Sequence, residues 1–293
     1  MTMIDTKTQT LDVPGANLGY DTRDAEAGST APVLLMNASP MDASGFTTLA
    51  AHFRDRTVVT YDPRGVGRSK RADGTAWATP DEHADDLHRL ISSLAAAPVD
   101  MFASSGGAVN ALALVARHPE QVRTLVAHEP PAAQVLPDRD QALAAVVDIH
   151  ETYRREGLGP AMAKFIALTS LKGPIPGDFA DQPAPNPADF GLTTEDDGSR
   201  DDPMLGRHIV AATHYELDFH ALRAASTRIV VGAGAESEGE FTHRAALAVA
   251  ERLGTEAVIF PSHHAGFLGG EFGMQGNPDA FAAILREVLS NDG

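Results

Sequence analysis

The sequence predicts an α/β fold in which a mostly parallel, twisted sheet carries helices on both faces. Short apolar runs that are typical of buried strands alternate with longer stretches of helical periodicity along most of the chain. The chain has 293 residues, a length that suits one large α/β domain with an insertion. Its hydrophobic fraction of 43% is enough for a large core.

The first half of the chain supplies most of the predicted sheet. Pro14 and Gly15 lie between two strand-like segments and predict a hairpin. Buried strands are predicted at "APVLLMN", "RTVVTYD", "VDMFA" and "VRTLVAH", because each is an apolar run of strand length. "ASGFTTLAAHF" predicts a short helix. Thr79, Pro80 and the two acidic residues after them predict the start of a longer one, since a capping side chain, an initial proline and negative charge all favour a helix N-terminus.

The second half interrupts this alternation and then resumes it. Strands at "STRIVVGAG" and "TEAVIFP" flank the helix "EFTHRAALAVAERLG", and the helix "NPDAFAAILREVLS" comes last. From about residue 130 to 225 only helical patches occur, and residues 172–202 are rich in Pro, Gly and Asp, which predicts an irregular exposed loop. We therefore expect a core from residues 1–130 and 226–293, and a helical cap insertion from residues 131–225.

Charge and composition exclude several classes of function. The formal net charge of −17 disfavours binding to nucleic acid or to an anionic membrane surface. The absence of cysteine excludes disulfides and thiolate metal sites. The N-terminal residues are too polar for a secretory signal, and no run of eighteen apolar residues occurs, so we expect a cytoplasmic protein. No oligomeric state follows from the sequence.

The stretch "MFASSGGAVNALALVARHP" holds the first candidate for chemistry. Ser105 stands between an apolar strand and a helix, with small residues on both sides that permit a sharp turn. Such a turn exposes a serine hydroxyl at the carboxyl edge of the sheet and places the Gly106 N–H at a helix N-terminus, where a developing oxyanion is favoured. On its own, the pattern also suits a tight turn that merely needs small residues.

Four further motifs occur in a fixed order around this turn: "PVLLMNASPMDASGF", "YDPRGVGRS", "ARHPEQVRTLVAHEP" and "FPSHHAGFL". With them, nearly the whole chain resembles the capped serine hydrolases of the α/β-hydrolase superfamily. The resemblance implies the α/β-hydrolase fold, Ser105 as the nucleophile and His264 as its base, with His263 as the alternative. It also implies an oxyanion hole formed by the backbone N–H groups of Ser39 and Gly106.

The acid of the implied triad has two candidate positions. The commoner family position, after "RIVVGAG", holds Ser237 here, with Glu236 and Glu238 on either side. The acid position also resembles that of haloalkane dehalogenases and zearalenone lactonases, which carry a carboxylate at the end of the strand after the nucleophile helix, where this chain has Glu129. We favour Glu129, because a glutamate between an apolar strand and two prolines does not fit a solvated surface charge. Glu236 and Glu238 stay open as alternatives.

The resemblance implies a hydrolase without cofactor or metal that cleaves a small-molecule carboxylic ester or lactone through an acyl-enzyme. Carbon–carbon bond hydrolases, perhydrolases and acyltransferases share the same triad and stay alternatives, as does a non-catalytic ligand-binding protein of this fold. Within "YDPRGVGRS", we expect Asp62 and Arg64 to pair with each other. Four cap residues are candidates for shaping the substrate pocket: Tyr153, Met162, Phe165 and Phe190.

Overall fold

The computed structural model describes residues 6–72, 74 and 77–290. One sheet runs through the described part of the chain; a polar hairpin lies at one edge, and the central strands are almost entirely buried. Its strands are β1 (Thr6–Val13), β2 (Ala16–Arg23), β3 (Leu34–Ser39), β4 (Val58–Tyr61), β5 (Lys70–Arg71), β6 (Val99–Ser105), β7 (Val122–His128), β8 (Arg228–Gly234) and β9 (Val258–Phe260).

The strand order is β1-β2-β4-β3-β6-β7-β8-β9, with the short β5 attached to β2. The hairpin at Pro14 and Gly15 is confirmed: β1 and β2 pair in antiparallel register, and Gly15 takes the positive φ of 76° that the turn requires. From β4 to β9 every neighbouring pair is parallel. The carboxyl ends of β3, β6, β7 and β8 therefore meet at one edge of the sheet.

Helices connect the parallel strands. The described residues contain α1 (Thr47–Ala51), α2 (Pro80–Leu94), α3 (Gly106–Arg117), α4 (Arg139–Glu156), α5 (Leu158–Thr169), α6 (Ile209–His214), α7 (Phe219–Ala224), α8 (Phe241–Leu253) and α9 (Pro278–Ser290). The predicted start of α2 is confirmed, because Thr79 and Glu82 form reciprocal side-chain to backbone hydrogen bonds of 3.2 and 2.9 Å, as in a capping box. Across the described residues, none of these helices is long and apolar enough to cross a membrane.

Alternate residues of the central strands face two separate cores. On β6, Met101 and Ala103 join the apolar cluster beneath α2, α3 and α8, whereas Phe102 joins the cluster beneath α1 and α9. Side chains alternate in this way along any strand, and here both faces are covered. The predicted α/β-hydrolase fold, a mostly parallel sheet with helices on both faces, is confirmed.

Residues 129–227, all described, contribute only helices and loops between β7 and β8. Helices α4 and α5 pack with residues of the 204–209 segment around a core of their own, which includes Ile149, Leu168 and Leu205. The boundaries that the sequence suggests for a cap, residues 131–225, stay a prediction.

Two local features differ from the simplest interpretation of the sequence. The last helical patch of this segment is not continuous: a π-helical turn at Met204–His208 precedes α6, and α7 starts separately after extended backbone at Tyr215. Asp218 causes this restart, because its side chain accepts a 2.9 Å hydrogen bond from the N–H of Ala221 and caps α7. The predicted irregular loop at 172–202 holds only short 3₁₀ turns among its described residues.

The expected pairing of Asp62 with Arg64 is wrong. Arg64 forms two hydrogen bonds, of 2.6 and 2.9 Å, with the buried carboxylate of Asp86 on α2. Asp62 instead accepts two bonds of 2.9 Å from Arg68. The two side chains thus have different partners, which sequence spacing does not reveal.

Candidate active site

Ser105 occupies a strained turn between β6 and α3. Its φ of 56° and ψ of −133° are rarely adopted by a residue with a side chain. The following glycines make the turn possible, because a Cβ on Gly106 would lie 2.7 Å from the carbonyl oxygen of Ser39, and a Cβ on Gly107 would lie 2.5 Å from the Cα of Ala38. The close approach of α3 to β3 holds the serine at the edge of the sheet.

His264 and Glu129 meet at the same edge. The Nδ1 atom of His264 lies 2.6 Å from Oε2 of Glu129. A carboxylate can only accept, so Nδ1 carries a proton, and in the neutral form of the imidazole Nε2 keeps a free lone pair. Glu129 follows β7 with a positive φ of 45°, and His264 lies in the loop after β9. The contact therefore joins residues that are far apart in the sequence.

Glu129 is fully buried and heavily hydrogen-bonded. Besides His264, its carboxylate accepts hydrogen bonds from the N–H of Gly234 at 2.8 Å, from Thr242 Oγ1 at 3.0 Å and from the hydroxyl of Ser237. Burial works against ionisation, but the hydrogen bond and charge of His264 outweigh it and hold the pKa of Glu129 well below its ordinary value. The carboxylate is thus charged at neutral pH.

The alternative candidates for the acid do not contact His264. Glu236 and Glu238 are exposed, and Glu236 contacts Ser262 at 3.4 Å rather than either histidine. His263 directs Nε2 towards the backbone oxygen of Gln275, at 3.2 Å. Ser237, at the commoner acid position, belongs to the same hydrogen-bond network, since its hydroxyl donates a hydrogen bond to Oε1 of Glu129.

Ser39 and Gly106 are brought together at the ends of β3 and β6. Ser39 is the register partner of Ser105, and Gly106 is the first residue of α3. Asn37, which stands where the family usually has histidine, donates a 3.1 Å hydrogen bond from its side chain to the backbone oxygen of Gly107. This bond ties β3 to the first turn of α3 and so helps to set the spacing between the two candidate oxyanion-hole residues.

Ser105, His264, Ser39 and Gly106 all line one cavity of about 500 Å³. No hydrogen bond joins the Ser105 hydroxyl to His264 in this structure; in ligand-free sites such contacts are commonly long and shorten when substrate binds. Most of the remaining wall is apolar, and it includes Pro131, Val146, Phe165, Leu168, Met204, Ile209, Phe241 and Met274.

Of the four residues that the sequence suggests for the pocket, Phe165 lines this cavity. Tyr153 lines a neighbouring cavity, Met162 packs in the core of the helical segment, and Phe190 is exposed. The direction in which each helix faces the sheet decides this, and helical periodicity alone does not specify that direction.

A second histidine, His128, lies directly beneath His264. The two rings are stacked with centroids 6.1 Å apart, and Ser104 Oγ lies 3.1 Å from Nδ1 of His128. Burial lowers the pKa of His128 to about 4, so it is neutral at pH 7 and adds no charge beside the His264–Glu129 pair.

Several polar residues of the cavity do not stand out in the sequence, and three of them, His83, Asn110 and His208, are also buried. A signal for two of them was present. Asn110 is the one polar residue in the run "AVNALALVA", and His83 shares the apolar face of α2 with Leu87 and Leu90. A polar side chain on a buried helix face often marks a ligand site or a hydrogen-bond network, and the sequence alone does not say which.

No cluster of three or more potential metal ligands occurs among the described residues. The polar groups at the sheet edge are thus a hydroxyl, an imidazole–carboxylate pair and backbone N–H groups near a helix N-terminus. This set suits the activation of a hydroxyl nucleophile and the stabilisation of a developing oxyanion.

Comparison with known proteins places the chain in a family. Residues 31–183 match the family model for the alpha/beta hydrolase fold. A protein described as the uncharacterized hydrolase YraK, from Bacillus subtilis (strain 168), is 34% identical over 265 residues, which span 88% of this chain and 89% of that protein. The chain therefore belongs to the α/β-hydrolase family.

Solved structures agree on the fold. The enol-lactonase from Burkholderia xenovorans LB400 superposes with a TM-score of 0.65 over 97% of this chain and 100% of its own, at 19% identity. An α/β-hydrolase enzyme from a deep-sea metagenome library of the Medee basin has a TM-score of 0.66 over 97% of this chain and 98% of its own, at 17% identity. At these identities the likeness concerns the fold alone.

Proposed function

We propose that this hydrolase is a cofactor-free serine enzyme that cleaves a carboxylic ester or a lactone through Ser105, His264 and Glu129. One observation carries the proposal: Nδ1 of His264 is bound 2.6 Å from the buried carboxylate of Glu129, while the same imidazole lines a cavity together with Ser105. The commonest use of such an arrangement is to orient a base towards a nucleophile.

In the proposed reaction, the Ser105 hydroxyl attacks the carbonyl carbon while Nε2 of His264 takes its proton. The negative charge of Glu129 stabilises the imidazolium that forms. His264 then returns the proton to the leaving alkoxide oxygen, and the acyl-enzyme remains. Water, deprotonated by the same imidazole, attacks the acyl carbon, and the serine is regenerated as the acid leaves.

The oxyanion of the tetrahedral intermediate is assigned to the backbone N–H groups of Ser39 and Gly106. The position of Gly106 at the first turn of α3 supports this assignment, because the helix dipole favours negative charge there. The loss of one such donor typically lowers the rate by about 10²–10³.

The proposed substrate is neutral and largely apolar. No lysine or arginine lines the cavity within the described part of the chain, and Glu240 is an acidic residue of its wall. An anionic substrate would find no counter-charge there, whereas the apolar wall suits an uncharged ester or lactone of moderate size. We also propose that residues 131–225 act as a cap, since α4, α5 and α6 supply Val146, Phe165 and Ile209 to this wall.

Labelling with a fluorophosphonate, which reacts with activated serines, tests the proposal. We expect rapid modification that is lost in Ser105→Ala and kept in Ser104→Ala, a matched control in the neighbouring residue. Hydrolysis of aryl esters and of lactones over a series of chain lengths then separates the two substrate classes. An unlabelled wild-type protein that hydrolyses neither class would refute the proposed function.

A further inference from the structure

The cavity wall carries buried polar side chains that the proposed reaction does not use. His83 on α2 and Asn110 on α3 are each 2% exposed, and His208, at the end of the π-helical turn, is 8% exposed. The His83 and His208 rings lie 5.4 Å apart. These three residues come from different elements, and all of them line the same cavity as Ser105.

Two of these three side chains, those of His83 and Asn110, carry buried polar atoms that have no hydrogen-bond partner in the part of the chain that the structure describes. Both ring nitrogens of His83 and the amide nitrogen of Asn110 are buried without a partner there. A buried polar group without a partner is costly, so folded proteins rarely keep one without a ligand or water to satisfy it. Exceptions to this rule are found mostly at functional sites.

We propose that Asn110 and His208, backed by His83, form a hydroxyl-binding subsite, and that the substrate is an ester or lactone with a neutral hydroxyl group remote from its reactive carbonyl. This proposal rests on the proposed function and names the substrate class for the same site.

The donors and acceptors of the subsite select a hydroxyl. The Asn110 amide offers both an N–H donor and a carbonyl acceptor, and a neutral imidazole offers one of each. A hydroxyl donates one hydrogen bond and accepts up to two, so it can satisfy groups of both kinds. A ketone or ether can only accept, and it would leave the acceptors of the subsite unpaired.

The surroundings favour a neutral group over an ion. Burial, and after it the charge of Arg71, lowers the pKa of His208 to about 4, and burial holds the pKa of His83 well below its ordinary value. Both rings are therefore uncharged at neutral pH and provide no cation for a carboxylate.

The spacing along α3 sets the distance between the subsite and the bound carbonyl group. Asn110 lies four residues after Gly106, which puts the two on the same face of α3 and about 6 Å apart along the helix axis. A substrate whose carbonyl oxygen is bound at Gly106 would reach Asn110 with a group about one helical turn away. A para-substituted phenyl group spans a distance of this order.

Binding to the Ser105→Ala variant tests the proposal without turnover. Two compound pairs are used: methyl 4-hydroxyphenylacetate against methyl phenylacetate, and 2-(4-hydroxyphenyl)ethyl acetate against 2-phenylethyl acetate. The pairs place the hydroxyl on the acyl side and on the alcohol side, respectively. We expect the hydroxylated member of at least one pair to bind about tenfold more tightly or better, the equivalent of one net hydrogen bond. Equal dissociation constants in both pairs would overturn the proposal and indicate a polar corner that holds water only.

Variants then locate the effect. In the Ser105→Ala background, Asn110→Leu and His208→Phe should remove the preference for the hydroxylated compound, whereas a merely structural defect would weaken both members of a pair equally. His243→Phe is the matched control, because His243 is a buried histidine on α8 that does not line the cavity. A preference that survives both subsite variants would also overturn the proposal.

The two proposals fail in different ways. If the hydroxylated compound binds preferentially but wild-type Ser105 resists the fluorophosphonate and hydrolyses neither pair, the subsite stands as a binding site and the serine hydrolase proposal is wrong. If Ser105 is labelled and both members of each pair bind equally, the hydrolase proposal stands and the subsite does not.

Discussion

Replacement of Glu129 by glutamine tests the centre of the proposed mechanism. The glutamine amide can fit the carboxylate position in two orientations, and the surrounding donors decide between them. The backbone N–H of Gly234, 2.8 Å from Oε1, can only donate, so the amide oxygen must face it. The amide NH₂ group is then directed to the Oε2 position, where the carboxylate now contacts Nδ1 of His264 at 2.6 Å.

That orientation imposes the wrong tautomer on His264. An NH₂ group at the Oε2 position donates, so Nδ1 must accept and the ring proton moves to Nε2. The imidazole then has no lone pair available for the proton of Ser105, and the charge that stabilises the imidazolium is also lost. The equivalent change in a serine protease lowers kcat by about 10⁴, which corresponds to about 5 kcal/mol of transition-state stabilisation. We expect a loss of the same order in Glu129→Gln.

The assay measures kcat and KM on the best ester or lactone from the substrate series, with the melting temperature of each variant as a check on folding. Glu236→Gln and Glu238→Gln are the matched controls, since both side chains are exposed and lie at the alternative acid position. We expect both controls to stay within about threefold of wild type, as is usual for surface changes away from a site. A loss of three orders of magnitude in either control, together with a mild effect of Glu129→Gln, would refute the reasoning.

Three further predictions follow from the same contacts. Ser237→Ala removes a hydrogen bond to the charged carboxylate of Glu129 and should destabilise the protein by about 2 kcal/mol in urea denaturation, whereas an unchanged midpoint would contradict the buried bond. The free energy of unfolding should fall as the pH drops from 6.5 towards 4, because burial lowers the pKa values of His128 and His208 to about 4 and both take up protons in this range only when the protein unfolds. Each histidine should lower the stability at pH 4 by up to about 3 kcal/mol relative to neutral pH, and a His208→Phe variant with an undiminished slope would disprove its share. Gly107→Ala should destabilise by about 1–3 kcal/mol or prevent folding, since its Cβ would lie 2.5 Å from the backbone of β3, and a melting temperature equal to that of wild type would show that the approach is looser.

The elements that were predicted well are those whose signals are local. The apolar runs at β3, β6 and β7 have the length of a strand and are buried on both faces of the sheet, so their composition alone identifies them. The start of α2 was predictable for a similar reason, because a capping side chain, a proline and acidic residues all act within one helical turn.

The elements that were not predicted depend on contacts between distant segments. Asp62 and Arg64 are two positions apart, yet Arg64 pairs with Asp86 on α2 and Asp62 pairs with Arg68. The interruption before α7 was missed for a related reason. Apolar periodicity runs through the segment, while the cap supplied by Asp218 starts a separate helix.

The sequence by itself determined the class of fold, the strained turn that presents Ser105, and a short set of candidates for its partners. Strand burial, helix capping and the need for small residues at a sharp turn are local properties, and a single chain displays them directly. Only the tertiary structure decided which carboxylate meets His264. The ends of β7 and β8 lie side by side, so Glu129 and Ser237 come together although they are more than a hundred residues apart. The position of Asn110 and His208 on one cavity wall was also decided by the tertiary structure, because a cavity exists only where separate elements leave a space between them.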